Sequence, residues 1–390
     1  MSLVADPGLA DEGAARIAWT RANMPLLAAL KDEFAAEQPF AGRKLGVCIH
    51  VEPKTAVLVE VLGAGGCELA ITGSPATTDD GTAAFLAAQD GVTVFALKAD
   101  DMAAHLAHIE RVLDTEPSFL LDNGADLISS AVRRGLTIEF ATEETTSGGN
   151  RLKAEMQGHV PFPVVVIDDS PLKRLIENQY GVGPTVVEGF MRATNLLVPA
   201  TTFAVVGYGA CGRGTARALR ADGATVIAVE IDPVKSLEAA FDGMRVMELD
   251  AALAAADVVI MVTGSTGILR ERELGLLRDG ALIANAGHFS EIEVPGSWTR
   301  RPLTGLVEEV ERPGGGVFRV LGRGEMLNLT AATGNQIQVM DLGFALQAHS
   351  LRALARDPGA FALGPQPVPK AIDDIIGRDM LASLSATRGV

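Results

Sequence analysis

Apolar residues recur at three- and four-residue spacing from Ala14 to Ala35, interrupted by Pro25, a periodicity that predicts helical segments laid over a core. From Lys44 onward the pattern becomes short apolar runs alternating with longer amphipathic ones. Strands are predicted at Lys44–His50, Cys67–Thr72, Thr93–Leu97, Phe119–Asp122 and Val164–Ile167, and helices at Thr55–Leu62, Ala83–Ala88, Ala103–Leu113 and Leu127–Arg134. That rhythm predicts an α/β unit on a parallel sheet, in which ligands bind outside the carboxyl ends of the strands. His50, Asp122 and Asp168 fall at those ends.

A second α/β unit is predicted from about Pro184, with strands at Phe203–Val206, Asp257–Val262 and Ala281–Ala284, and a hairpin turn at Gly314–Gly316 before Val317–Leu321. The helix Leu342–Leu354 is expected to return to the first unit, and Pro369–Leu384 reads as one amphipathic helix. The expected organisation is α/β throughout. A discontinuous α/β domain takes residues 1–183 and 336–368, a Rossmann-type domain takes 184–335, and a short C-terminal helical segment takes 369–390.

The 390 residues, 48% of them hydrophobic, suffice for two or three packed units. Their net charge of −16 repels phosphate backbones and anionic lipid surfaces, so neither nucleic acid nor membrane is an expected partner. The N-terminus has no basic segment followed by an unbroken apolar core, and no run of ~18 apolar residues occurs, so a cytoplasmic location is expected. Cys48, Cys67 and Cys211 lack the paired spacing of a zinc site or disulfide framework; they are expected to be small buried thiols, and no metal site is expected.

Candidate chemistry enters with Gly207, Gly209 and Gly212, in G-x-G-x-x-G spacing after the strand Phe203–Val206. A helix follows through Leu219, and the next strand closes on Glu230. The glycines permit a tight turn and close backbone approach, and the helix N-terminus, opened by Ala210 and Cys211, faces a pyrophosphate. Glu230 accepts from both ribose hydroxyls and repels a 2′-phosphate, so NAD is the expected cofactor rather than NADP. The strand tips Thr263-Gly264 and Asn285 would face the nicotinamide half.

With that motif placed, several strings together resemble the S-adenosylhomocysteine hydrolase family: GVCIH ending at His50, SPATTDD from Ser74, LLDNGADL from Leu120, EETTSG from Glu143, DDSPLKRLIENQYG from Asp168, GYGACGRG from Gly207, EIDP from Glu230, NAGHF from Asn285 and LNL from Leu327. The match preserves order and spacing over nearly the whole chain. The resemblance implies a substrate domain and an NAD domain, a homo-oligomer (tetramer or dimer), and a nucleoside-type substrate. It also implies NAD used as a catalyst: the ribose 3′-hydroxyl is oxidised to a ketone, the acidified 4′-hydrogen permits elimination and addition at C5′, and the same NADH reduces the ketone.

Carried over position by position, the resemblance makes Lys173 the lysine that assists 3′-hydroxyl deprotonation, Glu144 the carboxylate holding the ribose diol, and His50 the histidine near C4′ and C5′. His288 becomes the histidine lining the same pocket, and Thr145, Thr146, Ser147, Asn178 and Asn328 contact the nicotinamide or its ribose, Ser147 replacing a threonine. His105, His108, His159 and His349 have no such context and are read as surface or packing residues.

The departures concentrate in the substrate pocket. Asn123 stands where the family has the second aspartate of D-D-G-G-D; an amide takes no proton at neutral pH, and Asp122 beside it points the other way on a strand tip. Glu177 replaces the aspartate paired with the lysine, keeping an expected i, i+4 helical spacing from Lys173. Asn335 replaces a gate histidine and Val182 a cysteine near the nicotinamide. Where the family has the base-reading string H-M-T-x-E/Q, the chain has His50-Val51-Glu52-Pro53-Lys54; a lysine only donates, so it cannot accept from an exocyclic amine. The family's lysine- and tyrosine-bearing tail has no counterpart, which predicts looser NAD binding. Three readings follow: a family enzyme acting on a nucleoside other than ordinary S-adenosylhomocysteine, a bona fide adenosylhomocysteinase, or a silent NAD-binding regulator. Retention of Lys173 and Glu144 speaks against the last.

Overall fold

The computed structural model describes residues 2–75, 77–156, 158–287 and 290–388. The strands run in chain order as β1 (Lys44–Cys48), β2 (Glu68–Thr72), β3 (Val92–Phe95), β4 (Phe119–Asp122), β5 (Phe140–Glu143), β6 (Pro163–Val166), β7 (Thr202–Val206), β8 (Thr225–Val229), β9 (Arg245–Val246), β10 (Val258–Met261), β11 (Ala281–Asn285), β12 (Thr299–Pro302), β13 (Val307–Glu311), β14 (Val317–Leu321) and β15 (Gly364–Pro367). They make two sheets, one in each of two units: Met1–Lys173 with Ile337–Val390, and Arg174–Gln336.

The sheet of the first unit has the order β15-β6-β5-β4-β1-β2-β3, and every neighbouring pair is parallel. The chain winds outward from β1 through β2 to β3, then returns to the other side of β1 for β4, β5 and β6. The winding direction therefore reverses between β1 and β4, and in open α/β sheets the crevice at such a reversal is the binding position. Alternation along the strands sends Phe119 and Phe140 to one face, where they stack with Phe40 and, through it, Phe34 at centroid spacings of 5.0, 5.2 and 5.5 Å. Leu120 and Ala141 go to the other face, against Ile109, Leu127, Ile128 and Leu152. Each fully buried phenylalanine contributes roughly 1.5–3 kcal/mol by removal from water.

The helix Ile337–Arg356 packs on the helices Pro25–Glu37 and Pro53–Ala64 and on β5. From it the buried Asp341 accepts hydrogen bonds from the backbone N–H groups of Leu26 and Leu27, both at 2.9 Å, capping Pro25–Glu37. The segment after residue 368 adds the helix Lys370–Arg388, which packs on Pro25–Glu37 and Ile337–Arg356 within this same unit. Just before it, β15 joins the sheet edge beside β6, a position where Pro365 and Pro367 are tolerated.

The second unit carries the order β12-β13-β14-β11-β10-β7-β8-β9. Its β7 to β11 and β14 run parallel, and β12 and β13 extend the edge as an antiparallel ribbon. The turn from β13 to β14 is made by Gly314, Gly315 and Gly316, all with positive φ, which only glycine adopts without strain.

One local expectation is corrected. Lys173–Val182 is a π-helix rather than an α-helix, so the i, i+4 relation expected for Lys173 and Glu177 does not apply. Of the three thiols Cys48 and Cys67 are buried, while Cys211 is only half-buried. Among the described residues no helix is long and apolar enough to cross a membrane.

Candidate active site

The candidate substrate residues of the first unit arise at the carboxyl ends of β1, β4 and β5, around the winding reversal. Beyond β4, Asn123 donates from Nδ2 to Glu144 Oε2 at 3.0 Å. Lys173 Nζ lies 3.4 Å from the other oxygen, Glu144 Oε1. All three side chains are buried, so this chain of amide, carboxylate and ammonium is held away from bulk water. Asn123 Oδ1 accepts no hydrogen bond although it is fully enclosed, and an acceptor so placed is complementary to a ligand hydroxyl.

Asp122 is turned the other way, as strand alternation requires. Its two oxygens accept from Asn123 N and Ile128 N, each at 2.8 Å, capping the helix Asp126–Arg134. Burial pushes its carboxyl up, and the same holds for its cross-strand neighbour Glu143.

Beyond β1, His50 Nδ1 lies 2.9 Å from Thr77 Oγ1, and the Thr77 hydroxyl donates to Ser74 O at 2.8 Å. With its only proton committed to Ser74, Thr77 accepts from His50 Nδ1–H, which assigns Nε2 as the basic nitrogen of the ring. Two residues further, Lys54 Nζ pairs with Glu52 Oε2 at 2.8 Å, with the Lys54 side chain buried in the first turn of Pro53–Ala64. Burial raises the Glu52 carboxyl, Lys54 pulls it back, and the charges of Glu144 and Asp79 add to the rise.

Thr145 caps the helix Thr146–Glu155: its Oγ1 accepts from Gly148 N at 3.0 Å and from Ser147 Oγ at 3.2 Å. Its hydroxyl donates to Glu143 at 2.7 Å. His105, read as a packing residue, is buried, with Nδ1 on Gly73 O at 2.8 Å and Nε2 3.4 Å from Asp126. Burial works against its charge, but Asp126 and the Gly73 carbonyl outweigh that and raise it.

In the second unit the glycine turn follows β7, between β8 and β10, where that sheet reverses. Gly207 has φ +101°, and a Cβ there would sit 2.7 Å from Val262 O. A Cβ on Gly212 would lie 2.0 Å from Gly207 O, whereas one on Gly209 would meet nothing within 4 Å. The first and third glycines are therefore demanded by the turn itself, and the second faces the open space at the start of the helix Ala210–Ala221, where a pyrophosphate would approach. Glu230, at the tip of β8, accepts from Tyr208 N, Ile231 N and Asp232 N at 2.7, 2.8 and 2.9 Å, which holds its carboxylate at the turn. Turn, helix start and acidic strand tip fit NAD.

Around β10 and β11, Thr263 N, Thr263 Oγ1 and Gly264 N all donate to Glu291, at 3.1, 2.6 and 2.9 Å. The Asn285 amide closes its own turn, accepting from Gly287 N and donating to Gly287 O at 3.1 Å each. Asn328 is buried on the short helix Leu327–Thr330, Asn178 is buried on the π-helix, and Asn335 Nδ2 donates to Glu177 Oε1 at 3.3 Å. His288 lies outside the described residues. Sequence reasoning missed Glu143, Glu291 and Asp126, whose signals are only that each is an acidic residue near a strand end or glycine turn.

Known proteins resemble this chain over nearly its full length. A family model described as the NAD-binding domain of S-adenosyl-L-homocysteine hydrolase matches residues 178–334, and one described as S-adenosyl-L-homocysteine hydrolase matches residues 2–140. The chain is 41% identical to an S-inosyl-L-homocysteine hydrolase of Methanopyrus kandleri, over 98% of this chain and 92% of that protein. It is 39% identical to an adenosylhomocysteinase of Thermosynechococcus vestitus, over 98% and 91% of the two chains. An adenosylhomocysteinase of Aquifex aeolicus is 36% identical over 98% of this chain and 94% of its own.

Proposed function

The chain belongs to the S-adenosyl-L-homocysteine hydrolase family and is an NAD-dependent enzyme, and from that premise we propose that it hydrolyses or forms a nucleosyl-homocysteine thioether whose base is a 6-oxopurine, as in S-inosyl-L-homocysteine. The observation that carries this reading is the ion pair, at 2.8 Å, of the buried Lys54 with the half-buried Glu52. The resemblance puts positions 52 and 54 at the edge of the base, with position 54 at its exocyclic 6-substituent; in this reading Glu52, the ion-pair partner, faces the adjoining ring nitrogen. An ammonium only donates and a carboxylate only accepts. Hypoxanthine presents a carbonyl acceptor at position 6 and an N1–H donor beside it, complementary to Lys54 and Glu52 in turn. Adenine in the same register presents the reverse polarity at both atoms. The similarity to a protein named for an inosyl substrate supports the same choice.

In this reading Glu144 receives the ribose diol, and Lys173, 3.4 Å from it, assists loss and return of the 3′-hydroxyl proton. NAD, when bound, accepts the hydrogen and electron pair from C3′ and later returns them. His50 Nε2 takes the acidified C4′ proton, homocysteine thiolate leaves C5′, and water adds in its place. Asn123 takes no proton, so its part is to orient Glu144 and accept from a substrate hydroxyl. The family resemblance also supports a homo-oligomer, which light scattering would measure.

The test is condensation: NAD-loaded protein is incubated with homocysteine and either inosine or adenosine, and thioether formation is followed by chromatography with mass detection. Two reversed hydrogen bonds, both charge-assisted and each worth about 1.5–3 kcal/mol, predict a preference for inosine of at least about tenfold in kcat/KM. Equal or better turnover of adenosine would overturn the base assignment. Absence of turnover with any purine nucleoside would overturn the catalytic reading.

A further inference from the structure

We propose that Glu143, a buried carboxylate given no substrate contact above, is a positioning residue that sets the contact between Asn123 and Glu144. The inference rests on the functional reading above and adds to it the means by which the site is held. Glu143 ends β5 and is fully buried. Its Oε1 accepts from Gly124 N at 2.9 Å, Thr145 N at 2.8 Å and Thr145 Oγ1 at 2.7 Å; its Oε2 accepts from Ala125 N at 3.0 Å. One side chain thus ties the loop after β4 to the loop after β5. Asn123 immediately precedes the first pair of donors and Glu144 immediately precedes Thr145, so the span between the two loops is also the span between those side chains.

Two features show that the surroundings are built around this carboxylate. Gly124 and Ala125 both hold positive φ, +102° and +65°, and for the alanine that conformation is strained, a cost that a bond to its N–H must offset. On the other side, a Cβ at Gly148 would lie 2.2 Å from Glu143 Oε1, so only glycine there lets the helix Thr146–Glu155 start over the carboxylate.

Glu143→Gln keeps the shape but replaces one oxygen by an NH2 group. The remaining oxygen keeps the Gly124 and Thr145 donors only by turning the NH2 against Ala125 N–H, donor to donor. The first measurement is the crystal structure of this variant. Opening of the Asn123–Glu144 contact beyond about 3.5 Å is expected, and a contact retained at the wild-type distance overturns the proposal. The second is nucleoside-driven NADH formation, where a displaced acceptor should lower kcat by about 10- to 100-fold with little change in KM. Asp341→Asn is the comparison, since it too weakens a buried carboxylate accepting two backbone N–H groups in the same unit, but away from the site. It should lower Tm while kcat per folded molecule and its pH profile stay at wild-type values. A Glu143→Gln enzyme that behaves like Asp341→Asn, losing Tm alone, would sink the idea. If the wild type forms no NADH with any nucleoside, the functional reading fails, and the crystallographic comparison still decides the positioning role.

Discussion

Replacing Asn123 by aspartate restores the family's residue in a pocket that has changed around it, and the structure sets the consequence. The Asn123 nitrogen that donates to Glu144 across 3.0 Å would become a second carboxylate oxygen facing the first. With charge centres about 4 Å apart, the repulsion is about 4 kcal/mol at an effective dielectric of ~20, equivalent to roughly three pH units before Lys173 offsets part of it. The variant's two carboxyls should therefore share one proton near neutrality and lose it in a separate step as the pH rises. Stopped-flow NADH absorbance after mixing with nucleoside, from roughly pH 5 to pH 9, reads this directly. Relative to wild type, the variant should approach normal rates at the acidic end and fall progressively as the pH rises, because the doubly charged pair splays. Stability carries the same sign. A carboxyl whose folded affinity for a proton is raised imposes no penalty below its unfolded titration near pH ~4 and an increasing one up to the folded titration, so the Tm deficit should widen over that interval and then level off. A variant whose profile parallels wild type, with a Tm difference independent of pH, would show that position 123 does not face Glu144.

Two further outcomes follow from the second unit and the thiols. Glu230→Ala should weaken NAD binding by about 10- to 100-fold, the worth of a charge-assisted hydrogen bond, and raise the NADP-to-NAD affinity ratio because the repulsion of a 2′-phosphate is gone; calorimetric titration with both nucleotides checks this. In native protein a thiol reagent should label Cys211 and spare Cys48 and Cys67: burial, with Asp122 nearby, pushes the Cys48 thiol far up, and burial pushes Cys67 to about 12. NAD should slow the labelling of Cys211, which lies in the glycine turn, and mass analysis of the modified peptides reads both effects.

Much of the architecture was legible because its signals are local. The strands β1, β2, β4 and β7 are short, mostly apolar runs, and the sequence pattern places them within a residue or two. β5 carries no such signal, since FATE has only two apolar residues and no alternation to mark it, yet it holds Glu143 and leads into Glu144. β15 is equally silent, because GPQP reads as loop until β6 offers it an edge. The π-helix at Lys173 looks like an ordinary helix in sequence, since apolar spacing over ten residues does not separate the two.

By itself the sequence determined the nucleotide-binding turn of this protein. The steric demands on Gly207 and Gly212 come from atoms a few residues away or on the neighbouring strand of the same motif, so spacing alone is sufficient to write them. It also exposed the changed chemistry at Glu52, Lys54 and Asn123, because donor and acceptor capacity belongs to the residue type. Only the tertiary structure decided which of these groups meet. Asn123 and Glu144 are 21 residues apart, and Asp341 is joined to Leu26 across 315. In the pair Glu143-Glu144, strand alternation turns one carboxylate inward as an anchor and leaves the other facing Lys173. Two adjacent identical residues thus acquire different work from the sheet they end, which no reading of residue types in a line distinguishes.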